Sequence, residues 1–361
     1  MTTYYIVMMV VVFLCIYAES KDYTGSYNVS TLEVFHTTST NNVYFVVILV
    51  LALVSGLRYR VGADYMAYYY GYQGYIDDLP NSIRLWDEPG YGVLAWIGAH
   101  FYNNGASAIF LAALITVGLS LIIIFKHTNR VLLASFLYVT LGCWHGSFNG
   151  IRQYLAAAVL FYGFDYLRDR KLLRWIMVVF IASLFHRSVV VMVVLYFITD
   201  IKINWKNLLL VLSVTILLVF SFNRQITFAN FIMGKDYNPL GGYTSHAVNR
   251  LRVMAACVPA VAFYVEYRDY DEVTKEETFY INISIFHAAI RVATMNSALL
   301  YRIGIYTTLF QVLAITELLK GVSSVNRRII TLGIVIMQYI MWWYEISGSS
   351  NLIPFQFIWN R

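Results

Sequence analysis

The stretch VYFVVILVLALVSGLRYRVGADYMAYYY, residues 43–70, decides how this chain must fold. Val43 to Leu57 carries no charge, so a helix there has no polar face to offer water and belongs in lipid or in a buried core. Arg58 and Arg60 follow at once, and then Gly62, Asp64 and a run of tyrosines. A charge in or beside such a segment costs roughly 2.5–3.5 kcal/mol even on the mildest insertion scale, so cations kept there need a use. Arg152, Arg250, Arg252, Arg291 and Arg302 repeat the pattern further along. A guanidinium is permanently charged and binds phosphate oxygens two at a time, which points to an anionic, phosphate-bearing ligand at one membrane face.

The composition agrees with a membrane setting. Of 361 residues, 59% are hydrophobic and 13% charged, against roughly 25% charged in soluble domains. Apolar segments recur at Thr3–Ala18, Val43–Leu57, Ala106–Phe125, Val131–Phe148, Ile151–Leu167, Trp175–Ile198, Leu208–Phe222, Leu251–Tyr267, Phe279–Met295, Ile303–Leu319 and Ile329–Trp343. They predict an all-α polytopic membrane protein with about 10–12 transmembrane or re-entrant helices. The first segment lacks a basic leader and a small-residue cleavage site and reads as a retained helix. Cys15, Cys143 and Cys257 fall inside predicted helices, so neither a disulfide framework nor a thiolate metal site is indicated. The net charge of +6 has no soluble basic domain to sit on, which argues against nucleic acid as a partner. No repeat or linker divides the chain, and residues 1–361 are expected to form one membrane domain.

Charge sets the orientation. The short basic or mixed stretches 126–130, 168–174, 202–206, 268–275 and 320–328 belong in the cytoplasm by the positive-inside rule. Placing all of them there requires Pro89–Tyr102 to lie along the surface or re-enter, and Leu172–Thr199 to be a shallow hairpin with His186 at its tip. The opposite face then holds eleven arginines and one lysine. That bias favours bidentate phosphate recognition there, under external loops at about 58–104 and 223–250.

Four constellations carry candidate chemistry. In the first, Arg58 and Arg60 would hold pyrophosphate, Gly62 would turn Asp64 back towards them as base or orienting group, and Tyr65, Tyr68 and Tyr69 would form a sugar platform. The plainer reading is a helix anchored by an Arg/Asp pair and a tyrosine belt. In the second, Asn149-Gly-Ile-Arg-Gln-Tyr, Arg152 and Gln153 open an apolar helix whose N-terminal amides reinforce attraction for an anion. In the third, His186 interrupts two apolar runs and is a candidate general base, though a lone histidine more often satisfies a buried hydrogen bond. In the fourth, His287 and Arg291 share a helix face, with Arg302 opening the next span. Lys235, Tyr243, His246, Arg250 and Arg252 lie in or beside an external loop that reads equally well as closing over a ligand or as simply solvated. Walker, serine-elbow, zinc-protease and magnesium-site patterns are missing, and Asp269-Tyr-Asp271 reads as a solvated cytoplasmic linker.

Taken in order, Arg58 to Tyr69, Glu88-Pro-Gly-Tyr91, Ile151-Arg-Gln-Tyr-Leu-Ala and Leu184-Phe-His-Arg-Ser resemble the EpsG-like branch of the bacterial Wzy-type exopolysaccharide, O-antigen or capsule polymerases. The first 200 residues carry the resemblance, and Tyr301, Arg302 and Tyr306 extend it. It implies a GT-C-like glycosyltransferase in the bacterial cytoplasmic membrane with its site facing out. The growing glycan would pass from undecaprenyl pyrophosphate to a hydroxyl of an incoming lipid-linked repeat. Arg58, Arg60, Arg152, Arg250, Arg291 and Arg302 would hold the pyrophosphate. Asp64 or His186 would take the proton with Arg152 beside the reaction, and Tyr65, Tyr68, Tyr69, Gln153 and Tyr243 would bind sugar. No metal and no cofactor are expected. The partners implied are undecaprenyl-pyrophosphate-linked oligosaccharide, membrane lipid, and a chain-length regulator or flippase. The rival readings are an O-antigen-ligase-like transferase and a transporter of the lipid-linked oligosaccharide.

Overall fold

Every apolar segment read from the sequence is helical over most of its length, though some are broken by turns. The computed structural model describes residues 1–21, 27–28, 33–34, 38–72, 74, 88–202, 204–238, 246–267, 273–349 and 351–360. The contacts divide the chain into two compact units. The first comprises Met1–Phe164, Phe180–His186 and Trp342–Arg361, and the second Asp165–Val179 and Arg187–Met341.

In the first unit the helices are α1 (Thr2–Lys21), α2 (Thr38–Gly56), α3 (Tyr65–Gly71), α4 (Pro89–Phe101), α5 (Gly105–His127), α6 (Val131–Thr140) and α7 (Ile151–Tyr162). The central one is α5, which packs against α2, α3, α4 and α7. It starts where the Asn104 side chain accepts from Ala106 N at 2.9 Å, satisfying one of the amide donors left open at a helix N-terminus. Small residues at Ala108 and Ala112 let α3, α4 and α7 approach it. Tyr65, Tyr91, Leu94, Ile109, Ile151 and Leu155 fill the resulting core.

The C-terminal segment returns to this unit and runs alongside the residues after α2. Ile358 N donates to Leu57 O, Tyr59 N to Gln356 O and Gly62 N to Asn351 O, at 2.7–2.9 Å. The Tyr4 hydroxyl donates to Leu352 O at 3.0 Å. A two-residue hairpin, Tyr27–Asn28 against Glu33–Val34, is the strand pairing among the described residues, beside a single bridge at Arg58 and Phe357.

The helices of the second unit include α8 (Trp205–Phe220), α9 (Phe222–Met233), α10 (Arg250–Tyr267), α11 (Lys275–Ala293) and α12 (Ile305–Gly321). Here α11 is central and packs on α8, α10 and α12. It opens with a reciprocal cap: Glu277 N donates to Thr274 Oγ1, and Thr274 N to the Glu277 carboxylate.

Among the described residues five helices are long and apolar enough to cross a membrane: Thr2–Lys21, Gly105–His127, Val131–Phe148, Ala298–Gly321 and Ser324–Ser347. The bent pair α8 and α9 would make a sixth. Fewer full spans result than the ten to twelve transmembrane or re-entrant helices expected, because several apolar runs break. Trp175–Ile198 is divided at Leu184–His186 into Leu172–Ser183 and Arg187–Ile198, each too short to span alone. The architecture is nonetheless that of an all-α polytopic membrane protein.

Candidate functional site

The first unit brings together three of the segments singled out above. Glu88 occupies the residue before Pro89 at the head of α4, with φ 58° and ψ 58°. Proline disfavours the right-handed helical region for the residue before it, and a left-handed non-glycine residue is uncommon enough to need compensation. The compensation is electrostatic. Glu88 Oε2 lies 3.0 Å from Arg152 Nη1, and Oε1 lies 2.6 Å from His186 Nδ1. The Glu88 side chain is 9% exposed, while Arg152 and His186 keep 33% and 19% of theirs open. A buried carboxylate therefore holds two groups that reach towards solvent.

Local sequence explains the meeting. Gly90 N donates to Leu184 O at 2.8 Å, and a Cβ on Gly90 would stand 3.0 Å from that oxygen and from the Phe185 ring. Glycine thus lets the 184–186 turn close on α4. Arg152, in the first turn of α7, lies over the rings of Tyr68 and Tyr91, at 5.7 and 5.9 Å from their centroids. Those two rings meet edge-on at 5.2 Å. Gln153 is buried beside Arg152.

The loop that carries Asp64 is locked to the same helix start. Asn149 Oδ1 accepts from Ala63 N at 2.6 Å. Gly62 has φ +106°, and a Cβ there would come within 2.2 Å of Phe148 O, so no other residue fits the turn. Asp64 is half-buried ahead of α3 and makes no cap bond to it. Among the described residues Asp64 forms no ion pair with Arg58 or Arg60, the cations towards which Gly62 was expected to turn it.

The arginines differ in placement. Arg58 is 1% exposed. Its Nε donates to Val61 O at 3.1 Å, its Nη1 to Ser55 O, and its guanidinium lies 4.7 Å from the Phe148 ring centroid. Burial pushes its pKa down to about 10, against a counter-effect of the Tyr65, Tyr4 and Tyr91 hydroxyls. These contacts spend Arg58 on the turn after α2. Arg60 is exposed, with a left-handed backbone at φ 55° and its guanidinium over Tyr59. Tyr65 is fully buried in the core, whereas Tyr68 and Tyr69 are half-buried.

In the second unit, Arg291 donates to Tyr301 O at 3.3 Å and to Thr308 Oγ1 at 2.9 Å, and lies over the Tyr301 ring. His287 Nδ1 is 2.7 Å from Thr307 Oγ1. This pair, expected on one helix face, ties α11 to the start of α12. Arg302 is half-buried at the turn before α12, and Arg250 is exposed at the head of α10. Tyr243 and the Asp269-Tyr-Asp271 pattern lie outside the described residues. Among the described residues no three His, Cys, Asp or Glu side chains group as metal ligands.

Sequence reasoning did not single out Glu88 as a candidate. It was quoted in Glu88-Pro-Gly-Tyr91, and the available signal was a carboxylate fixed ahead of a proline and a glycine in a chain with few acids.

The sequence pattern of one family covers residues 41–357, from α2 to the C-terminal strap, and so takes in Glu88, Arg152 and His186. The chain belongs to the EpsG family. This is a family of exopolysaccharide and Wzy-type polymerase-like proteins, which places the EpsG-family chain in polysaccharide biosynthesis. The match runs well past the 200 residues on which the resemblance rested. Neither a search of curated proteins nor one of solved structures returned a match.

Proposed function

We propose that this EpsG-family chain is a metal-independent polysaccharide polymerase, with the Glu88, His186 and Arg152 cluster as its reaction centre. The reading is supported by one observation above all: a single buried carboxylate holds a histidine at 2.6 Å and an arginine at 3.0 Å. The Glu88 carboxylate beside Nδ1 favours the tautomer with the proton there, which leaves the lone pair of His186 Nε2 to accept a proton. An acceptor hydroxyl on the incoming lipid-linked repeat attacks the anomeric carbon of the growing chain. Its proton passes to His186 Nε2 as the bond to pyrophosphate breaks, and the bonding pair leaves on the diphosphate. Arg152 stands where that charge develops, doing by electrostatics what a metal ion does in other transferases.

Tyr68 and Tyr69 offer ring surface to sugar, Asp64 orients the acceptor hydroxyl, and Arg60 supplies a second exposed cation. Arg58 and Arg291, held by backbone and threonine oxygens, serve the scaffold in this reading. The site faces the outer side of the cytoplasmic membrane, and the donor is undecaprenyl-pyrophosphate-linked glycan.

Purified protein in liposomes with a lipid-linked repeat tests the proposal. A ladder of products with chelator present supports it. Single transfer to another acceptor means a ligase, and no new glycosidic bond means a transporter. His186→Ala should abolish elongation and Arg152→Lys should impair it, since an ammonium cannot reproduce the fork. Full elongation by both variants would remove the assigned roles.

A further inference from the structure

The second unit carries a face that the proposed chemistry does not use. Helix α8 leaves Leu209, Leu210, Ile216, Leu217 and Phe220 between 52% and 84% exposed, far more apolar surface than water tolerates on a folded protein. Its 16 residues run about 24 Å, most of the hydrocarbon thickness. At its start, exposed Trp205 lies under the Lys206 ammonium at 5.8 Å, the pairing expected at a membrane surface. At Ser221 the chain turns through 86° into α9. A helix at right angles to one that stands in the bilayer lies in the membrane plane.

The composition of α9 fits that position. Asn223, Arg224, Thr227 and Asn230 make it too polar to continue across. Ile226 is fully buried, and Gln225 Nε2 donates to Ala293 O at 3.2 Å, so one side is fixed to the protein. Arg224, Phe228 and Phe231 fall at i, i+4 and i+7 on the opposite side. Phe228 is 54% exposed and Phe231 81%. Gly234, in the left-handed conformation, ends the helix, Arg187 Nη1 donates to Met233 O at 3.2 Å, and exposed Lys235 follows. The outward stripe is thus a cation and two phenyl rings, and a second exposed cation, Lys235, follows just past the helix end.

We infer that α9 is an in-plane membrane anchor that binds anionic phospholipid. Phe228 and Phe231 enter the boundary between headgroups and acyl chains, while Arg224 and Lys235 pair with lipid phosphates. The occupant is the bilayer surface itself, chosen because the exposed rings of α9 follow directly in sequence on the exposed apolar face of α8 and the two cations complement phosphate.

Spin labels test the depth. Full-length Phe231→Cys and Leu217→Cys proteins, labelled in a background lacking the native cysteines, are reconstituted in phosphatidylglycerol/phosphatidylcholine vesicles, and collision with oxygen is compared with collision with a water-soluble nickel complex. Residue 231 should report the headgroup boundary and residue 217 the hydrocarbon interior. A label at 231 as wet as a free loop, or as deep as 217, overturns the inference. Separately, Arg224→Gln with Lys235→Gln should lower preferential retention of phosphatidylglycerol over phosphatidylcholine by about fivefold per cation, with helicity unchanged. Equal retention by wild type and double variant overturns the phosphate contacts.

Discussion

At the scale of single residues, Glu88 spends backbone strain to place a carboxylate between a histidine and an arginine. Glutamine keeps the shape of that side chain and removes the charge that orients His186. Glu88→Gln should therefore lower turnover by about 100-fold or more at temperatures where the variant is still folded, beyond what its lower melting temperature accounts for. An unimpaired variant would show that the cluster is structural. Gly62 answers to a different constraint. Alanine there meets Phe148 O and adopts a strained φ, costing about 1–3 kcal/mol from the backbone alone, so Gly62→Ala should melt earlier and accumulate poorly. Normal expression and melting of that variant would contradict the close approach. Arg58 and Arg152 look alike in sequence, each at the edge of an apolar helix. Only the surrounding carbonyls show that one is consumed by its own turn.

At the scale of elements, the site depends on how α3 and α7 are tied. The bond from Ala63 N to Asn149 Oδ1 joins the loop before α3 to the turn before α7. Removing it with Asn149→Ala costs about 1 kcal/mol of stability but frees the loop carrying Asp64. Turnover should fall more than stability does, and steady-state kinetics beside thermal melts will separate the two. The turn at 165–171 makes a pH prediction. Burial raises the Asp169 carboxyl, but Lys171 at 2.8 Å and Arg168 at 3.3 Å outweigh it and hold its pKa below the usual carboxylate value. A lowered folded pKa means that the contribution is complete above the ordinary carboxylate pKa, near 4, and is lost as pH falls through the lowered value. Asp169→Asn should thus be slightly less stable than wild type at neutral pH and low salt, the gap closing below about pH 4. A gap independent of pH would contradict this.

At the scale of the molecule, the end of the chain supports its beginning. Backbone bonds from residues 351–358 to 57–62 hold the segment that leads from α2 into the site. Ending the chain after Ser349 removes no proposed reaction residue, yet should cost most of the activity in membranes that still contain the protein. Undiminished polymer synthesis by the truncated chain would show that the strap is dispensable.

The hydropathy of the sequence was enough to settle the all-α membrane class, since a chain this apolar leaves backbone polar groups no partner in lipid except within helices. Motif order was likewise enough for the family, and the break at Leu184–His186 was legible because a histidine and an arginine interrupt an apolar run. Periodicity could not tell an arginine held in its own turn from one that reaches solvent, because that depends on which carbonyls the turn presents. Nor could it select Glu88, whose partners in α7 and in the 184–186 turn are brought to it only by packing on α5. Hydrophobic burial is written locally in residue type, whereas electrostatic pairing depends on distances that exist only after the chain has folded.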